Sequence, residues 1–362
     1  GGLTLIFLEP ILLFFGATAD TVGYAMEFME VILYGTPIGF VFIGLNNLMR
    51  ATGYPRKAMI SALISVAGNL VLAPLFIFVL DWGIRGAACA TVCGQFSAFV
   101  WVMSHFLSKK SSIHFQRGNK WFSWAIIKRI YAIGLSPFLM NVCACVVVIF
   151  INRALLDYGG ADGNLAVGAY GILNRTTMFF VMIVFGVTQG MQPILGYNIG
   201  ANHFDRVKRV LRLGIRIGVA ITSLGWIVSE GFPDKVSALF TTDETLIRIA
   251  REGFRIYFVV YPVVGCQIVI QNFFQSVGKP QMSIFLSLTR QLLFLIPFLI
   301  IFPRFWGVPG VWASMAGSDI IAFIVAIVTL WWWMGHTMRD MEEKAGALGA
   351  SAGTEHGRID NK

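Results

Sequence analysis

The sequence predicts an all-α integral membrane protein built as two six-helix lobes related as parallel repeats, twelve spans in the intact protein and about ten in this chain. Three observations predict it: an apolar composition, a succession of apolar stretches of bilayer length, and an internal repeat. Hydrophobic residues make up 56% of the 362 and charged residues 13%, where soluble domains carry roughly a quarter charged. A chain of this composition is solvated mostly by lipid. Crossing the hydrocarbon takes about 20 apolar residues per helix, and stretches of that kind run over 3–15, 28–48, 58–80, 86–107, 131–156, 165–195, 211–230, 254–276, 281–302 and 308–334.

The first stretch is too short to span. It opens at Gly1 and runs straight into Leu3-Thr4-Leu5-Ile6-Phe7-Leu8, which reads as the tail of a span whose start is missing. A cleaved signal peptide would need a basic start and a small-residue cleavage site, and this segment has neither. The loops between the stretches carry the orientation. Arg50, Arg56 and Lys57, the basic run from Lys109 to Arg129, the group Arg206, Lys208, Arg209 and Arg212, Lys279 and the C-terminal Arg339, Lys344, Arg358 and Lys362 all fall on one side. The opposite side receives only Arg85, Arg153, Lys235, Arg248, Arg251, Arg255 and Arg304. Basic loops stay in the cytoplasm, so the net charge of +9 is a topology signal and gives no reason to expect nucleic acid.

A shift of 225 pairs Phe15 with Phe240, Glu27 with Glu252, Pro37 with Pro262, Asn47 with Asn272, Gly53 with Gly278 and Pro55 with Pro280. A shift of 224 continues the register through Trp82 and Trp306, Gly83 and Gly307, Gly86 and Gly310, Ala98 and Ala322, Phe99 and Phe323. The matches fall on turn and kink residues, where a shared backbone enforces them. The second copy starts near Trp124, which places the start of the first about 100 residues before Gly1 and leaves two spans and most of a third unaccounted for. The expected organisation is 1–108 as the remainder of the N-terminal lobe, 109–124 as a cytoplasmic linker, 125–335 as the C-terminal lobe and 336–362 as a disordered cytoplasmic tail. Parallel repeats of this kind are a transporter architecture.

Three segments then resemble a known family. They are Ala51-Thr52-Gly53-Tyr54-Pro55, the stretch Gly168-Ala169-Tyr170-Gly171-Ile172-Leu173-Asn174-Arg175, and Gln189-Gly190-Met191-Gln192-Pro193-Ile194-Leu195-Gly196-Tyr197-Asn198-Ile199-Gly200-Ala201. Their order and spacing are similar to those of the multidrug and toxic compound extrusion (MATE) transporters, and within them to a bacterial branch of drug exporters. Counted in that family's order, the chain runs from the end of span three through span twelve. The resemblance implies a multi-pass protein of the bacterial cytoplasmic membrane, working as a monomer and exporting small amphipathic or cationic compounds in exchange for Na+ or H+, with no cofactor.

Polar groups inside spans are expensive and are functional candidates by default. Here they are Asn69, Thr91, Gln95 and the pair Asn46-Asn47 in the first half, and Asn141, Arg175, Gln189, Gln192, Gln267, Gln271, Asn272, Arg290 and Asp319 in the second. The resemblance implies cation coordination by an Asn on span five, an acidic residue shortly after it and a Thr on span six. Asn69 and Thr91 match, but Ala73 stands at the acidic position. Interhelical hydrogen bonding is the equally available reading of Asn69 and Thr91. Acidic residues that another branch of the family carries on spans seven and ten have no mid-depth match in this chain. Asp319 is the remaining cation-coupling candidate. It lies twelve residues beyond Gly307, and Arg290 ten beyond Pro280, so at about 1.5 Å per residue both reach mid-membrane on neighbouring helices and are expected to pair. The repeat puts Ser65 and Gln95 at the equivalent places.

Gln189, Gln192 and Pro193 mark either an irregular span with freed carbonyls or, as the favoured reading, a plain helix end. The 31 Phe, 14 Met and 10 Trp suit an apolar drug cavity but name no contact residue. Cys89, Cys93, Cys143, Cys145 and Cys266 all fall in spans and read as buried apolar thiols, and no resident metal is expected beyond a transported Na+. Other function classes weigh less. A membrane enzyme would need a catalytic set at depth, a flippase for pyrophosphate-linked lipids a strongly cationic cavity, and a channel a repeated selectivity filter.

Overall fold

The computed structural model describes residues 4, 5, 7–14, 22–108 and 123–338. It divides into two compact units, Gly1–Trp121 and Phe122–Lys362, and among the described residues every regular element is helical. Among those residues, nine helices are long and apolar enough to cross a membrane. The expected linker lies outside the described residues except for Ser123 and Trp124, and the expected tail lies outside them except for its first three residues.

In the first unit, α1 (Leu8–Phe14) is a short helix. It is followed by α2 (Val22–Ala51), α3 (Pro55–Pro74, closed by a π turn over Leu75–Val79) and α4 (Gly83–Leu107). α4 packs along both α2 and α3, and a small core of Phe42, Met49, Ala58, Ala98, Val102 and Phe106 fills the space between them. The outside is apolar as well: Leu63, Val66, Leu70, Val71, Phe78 and Val79 on α3 and its π turn are exposed. That is the expected inversion for a helix whose outer solvent is hydrocarbon.

In the second unit, α5 (Trp124–Tyr158), α6 (Gly163–Gly200) and α7 (Phe204–Gly231) precede the short α8 (Pro233–Ala238). Then come α9 (Glu244–Tyr257), continued through a single 3₁₀ turn into α10 (Tyr261–Ser276), and α11 (Pro280–Leu288), continued through a π turn over Thr289–Leu295 into α12 (Ile296–Trp306). The last span is α13 (Val308–Trp333), ending in a π turn over Met334–Met338. The described start of the expected tail is therefore helical. α10 lies centrally, packed against α6, α7 and α13, and the core includes Phe254, Phe258, Tyr261, Phe273, Phe274 and Trp312.

The helices extend past the apolar stretches because polar end residues can still be helical outside the hydrocarbon. The stretch at 254–276, for example, is preceded by about three charge-bearing helical turns that begin after Asp243. Its carboxylate caps the helix, accepting from the Thr245 and Leu246 amides at 2.8 and 3.2 Å, as an N-cap aspartate does.

The repeated turns explain the repeated residues. Gly53 and Gly278 sit at φ +89° and +76°, and the following amide closes back on the preceding helix, Tyr54 N–H to Met49 O at 3.1 Å and Lys279 N–H to Phe274 O at 2.9 Å. Pro55 and Pro280 then open the next helix. A left-handed residue at the helix exit favours glycine, and a first helical position tolerates the missing proline N–H.

Two expectations are corrected. Pro193 ends nothing, because α6 continues through it to Gly200, where Ala201 N–H bonds Tyr197 O at 2.9 Å. The cysteines are not uniformly buried: Cys143 and Cys266 are, Cys89 and Cys93 are half-buried, and Cys145 is exposed on α5.

Candidate functional site

In the first unit the polar side chains at depth meet on the inner faces of α3 and α4. Asn69 Nδ2 donates to Thr91 Oγ1 at 2.9 Å, and the Thr91 hydroxyl lies 3.1 Å from Ala87 O on its own helix. The amide hydrogen is thus used across the helix pair. Gln95 lies one turn further along α4, with its carbonyl oxygen over Gly39 of α2, where a Cβ would come within 2.7 Å. Asn46 works lower down as a clamp. Its Nδ2 donates to Ala58 O and Ser61 Oγ, and its Oδ1 accepts from Arg50. Asn46 is therefore fully engaged in holding α2 to α3.

In the second unit the structure brings Arg290 and Asp319 together. Arg290 Nε donates to Asp319 Oδ1 at 2.6 Å, with the Asp319 side chain 2% exposed and the Arg290 side chain 27%. The carboxylate is held on α13, and the guanidinium comes from the second residue of the π turn that follows α11. Asp319 Oδ2 is buried and accepts no hydrogen bond among the described residues. The Tyr257 hydroxyl, from the end of α9, adjoins the carboxylate. Tyr261 lies one turn beyond Tyr257, their ring centroids 6.4 Å apart, and its hydroxyl is tied to Thr177 O on α6 at 2.9 Å. Coulomb attraction strengthens inside a low-dielectric medium, but each charge has lost its water, so the pair is stable only as a pair.

The remaining candidates are spread out. Gln271 Nε2 approaches Met140 Sδ of α5 at 3.8 Å, and Asn272 turns its amide to Ile268 O on its own helix at 2.9 Å. Gln267 is buried with neither end hydrogen-bonded among the described residues. Asn141, Arg175, Gln189 and Gln192 are exposed on their unit. Tyr257 and Tyr261 were missed by sequence reasoning. Two phenols at i and i+4 beside Pro262, in the same span as the polar Gln267, Gln271 and Asn272, are a signal that could have found them.

The shape and the residues together have known counterparts. A family model described as MatE matches residues 2–75 and 132–301. The chain belongs to the MatE family. The multidrug export protein MepA of Staphylococcus haemolyticus (strain JCSC1435) is 25% identical over 327 residues, covering 90% of this chain and 71% of its own length. A solved structure of the MATE multidrug transporter DinF-BH is 34% identical, with a TM-score of 0.81, covering 91% of this chain and 73% of that one. A second, the outward-facing conformation of a MATE family multidrug resistance transporter of the MOP superfamily, has a TM-score of 0.85 at 22% identity, covering 93% and 74%. The last likeness carries the fold alone. These MATE relatives are transporters and not enzymes.

Proposed function

We propose that this chain is a secondary active exporter of amphipathic, chiefly cationic compounds, driven by inward flow of Na+ or H+ across the bacterial cytoplasmic membrane. The names of its relatives support multidrug export. The observation that carries the exchange part is the buried Arg290–Asp319 pair, since an ionised carboxylate at mid-span is the group a coupling cation or a cationic drug can engage. Asn69 and Thr91 are the matching candidates in the first unit. With Ala73 in place of a carboxylate nearby, they offer a cation only neutral oxygens. The cavity candidates Gln95, Asn141, Arg175, Gln189, Gln192, Gln271 and Asn272 complete the proposed polar set.

The test is accumulation of ethidium in an efflux-deficient bacterium expressing the protein. Lower accumulation that returns to the control level when the ion gradients are collapsed supports the reading. Unchanged accumulation, with redistribution of lipid-linked precursors, overturns it in favour of a flippase.

A further inference from the structure

The Arg290–Asp319 pair is unevenly built. Oδ1 of the carboxylate is taken by Arg290, Oδ2 is buried and accepts no hydrogen bond among the described residues, and the Tyr257 hydroxyl adjoins the carboxylate. The guanidinium is the partner with an opening, since its side chain is 27% exposed against 2% for Asp319. Arg290 also sits in a π turn of seven residues, Thr289–Leu295. A π turn inserts one residue into a helix and is found disproportionately at functional sites. The first repeat has its π turn at Leu75–Val79 instead, eleven residues beyond Ile64, the residue that the shift of 225 pairs with Thr289. The two irregularities are thus not a shared feature of the repeat, and the second one falls where the charge is.

We propose that Asp319 is the proton-binding site of the second unit, and that uptake of a proton on Oδ2 releases Arg290 through a change in the π turn. This deepens the export reading by naming the coupling ion at Asp319. In the step, an O–H bond forms on the carboxylate with a proton from water, and the Nε–H···Oδ1 hydrogen bond breaks. The neutral acid can then donate to, or accept from, the Tyr257 hydroxyl beside it. What remains is a lone guanidinium in a span, which is costly. It is relieved when the guanidinium moves toward its exposed side, and returning the π turn to α-helical register rotates Arg290 by about one residue, roughly 100°, away from α13. Among the described residues, the ionisable groups facing the pair from the packed helices are phenols, Tyr257 and Tyr261 from α9 and α10, with Tyr170 of α6 facing Tyr257. One carboxylate with phenols falls short of the roughly six oxygens a hard metal cation gathers, whereas a proton needs a single oxygen.

The test is infrared difference spectroscopy of the full chain in lipid vesicles, across an acid titration and, at fixed pH, across added Na+. The expected result is a carboxylic-acid carbonyl band that grows on acidification and is unmoved by Na+. The band is lost in the neutral double variant Asp319→Asn/Arg290→Gln, which leaves no unpaired charge and so keeps the fold. Tyr257→Phe, which keeps the ring packed, should shift the midpoint of the band. Persistence of the band in the double variant overturns the site, and so does its absence in the unaltered chain. Its removal by Na+ overturns the proton in favour of a metal cation, and an unmoved midpoint in Tyr257→Phe overturns the phenol's part. Gradient-dependent ethidium export without the band would sink this proposal and leave the export reading standing, whereas the band without export would do the reverse.

Discussion

Neutralising one member of a buried ion pair costs more than removing both, because the survivor stays desolvated with nothing to compensate it. Asp319→Asn and Arg290→Gln should therefore each destabilise the folded protein by about 3–5 kcal/mol, and the double variant by clearly less than their sum. Thermal unfolding in detergent measures this, and additive losses would mean that the 2.6 Å contact contributes nothing. The pairing was legible in the sequence because two opposite charges at equal depth on adjacent spans have few other places to go. Its phenolic surroundings were not. Tyrosines in an apolar span look like packing residues until the fold shows Tyr257 beside a carboxylate and Tyr261 bonded to a carbonyl of another helix. Asn69 and Thr91 were legible as a pair only through the family pattern, and the structure adds that their hydrogen bond crosses from α3 to α4. Membrane hydrogen bonds of this kind average about 0.6 kcal/mol. Asn69→Ala should thus lower the melting temperature only slightly, and a marked loss of Na+ or pH dependence in vesicle transport would point to coupling beyond that bridge.

At the scale of elements, apolar stretches locate spans but say little about how closely two helices approach. α7 and α10 meet through small residues, as membrane helices often do. A Cβ on Gly265 would come within 2.5 Å of Thr222 Oγ1 and 2.6 Å of the Gly218 carbonyl carbon, and Thr222 Oγ1 lies 3.0 Å from Pro262 O. The same hydroxyl lies 3.0 Å from Gly218 O on its own helix, so one proton is shared between carbonyls of the two helices where α10 begins. Gly265→Ala should destabilise by about 1–3 kcal/mol through overpacking. Gly171→Ala, where nothing lies within 4 Å of the added carbon, is the control and should leave the melting temperature unchanged or raise it. Equal behaviour of the two would show that the crossing is looser than drawn. Pro193 shows the opposite limit of sequence reasoning. A proline after two glutamines reads as a stop, yet α6 runs seven residues past it, because in a membrane the alternative to continuing is to leave carbonyls unpaired in hydrocarbon. The π turns were likewise illegible, since no residue type marks them.

At the scale of the whole molecule, orientation follows from where the charges lie along helices of known length. α7 runs from Phe204 to Gly231, 28 residues, or about 42 Å at 1.5 Å per residue, against a hydrocarbon core of about 30 Å. Its two ends must therefore face different compartments. The first end carries Arg206, Lys208, Arg209 and Arg212, whereas the segment after the other end carries Asp234, Asp243 and Glu244 with Lys235. Positive charge is retained on the cytoplasmic side of short loops. His203 and Thr242 are exposed residues flanking these two ends. In a background lacking the five native thiols, His203→Cys should react with a membrane-impermeant maleimide only after the cells are permeabilised, while Thr242→Cys should react in intact cells. The reverse pattern would invert the orientation drawn from the charges. Reaction of both in intact cells would mean that α7 does not cross the membrane, and its exposed Leu213, Leu224 and Ile227 would then need a different explanation from lipid.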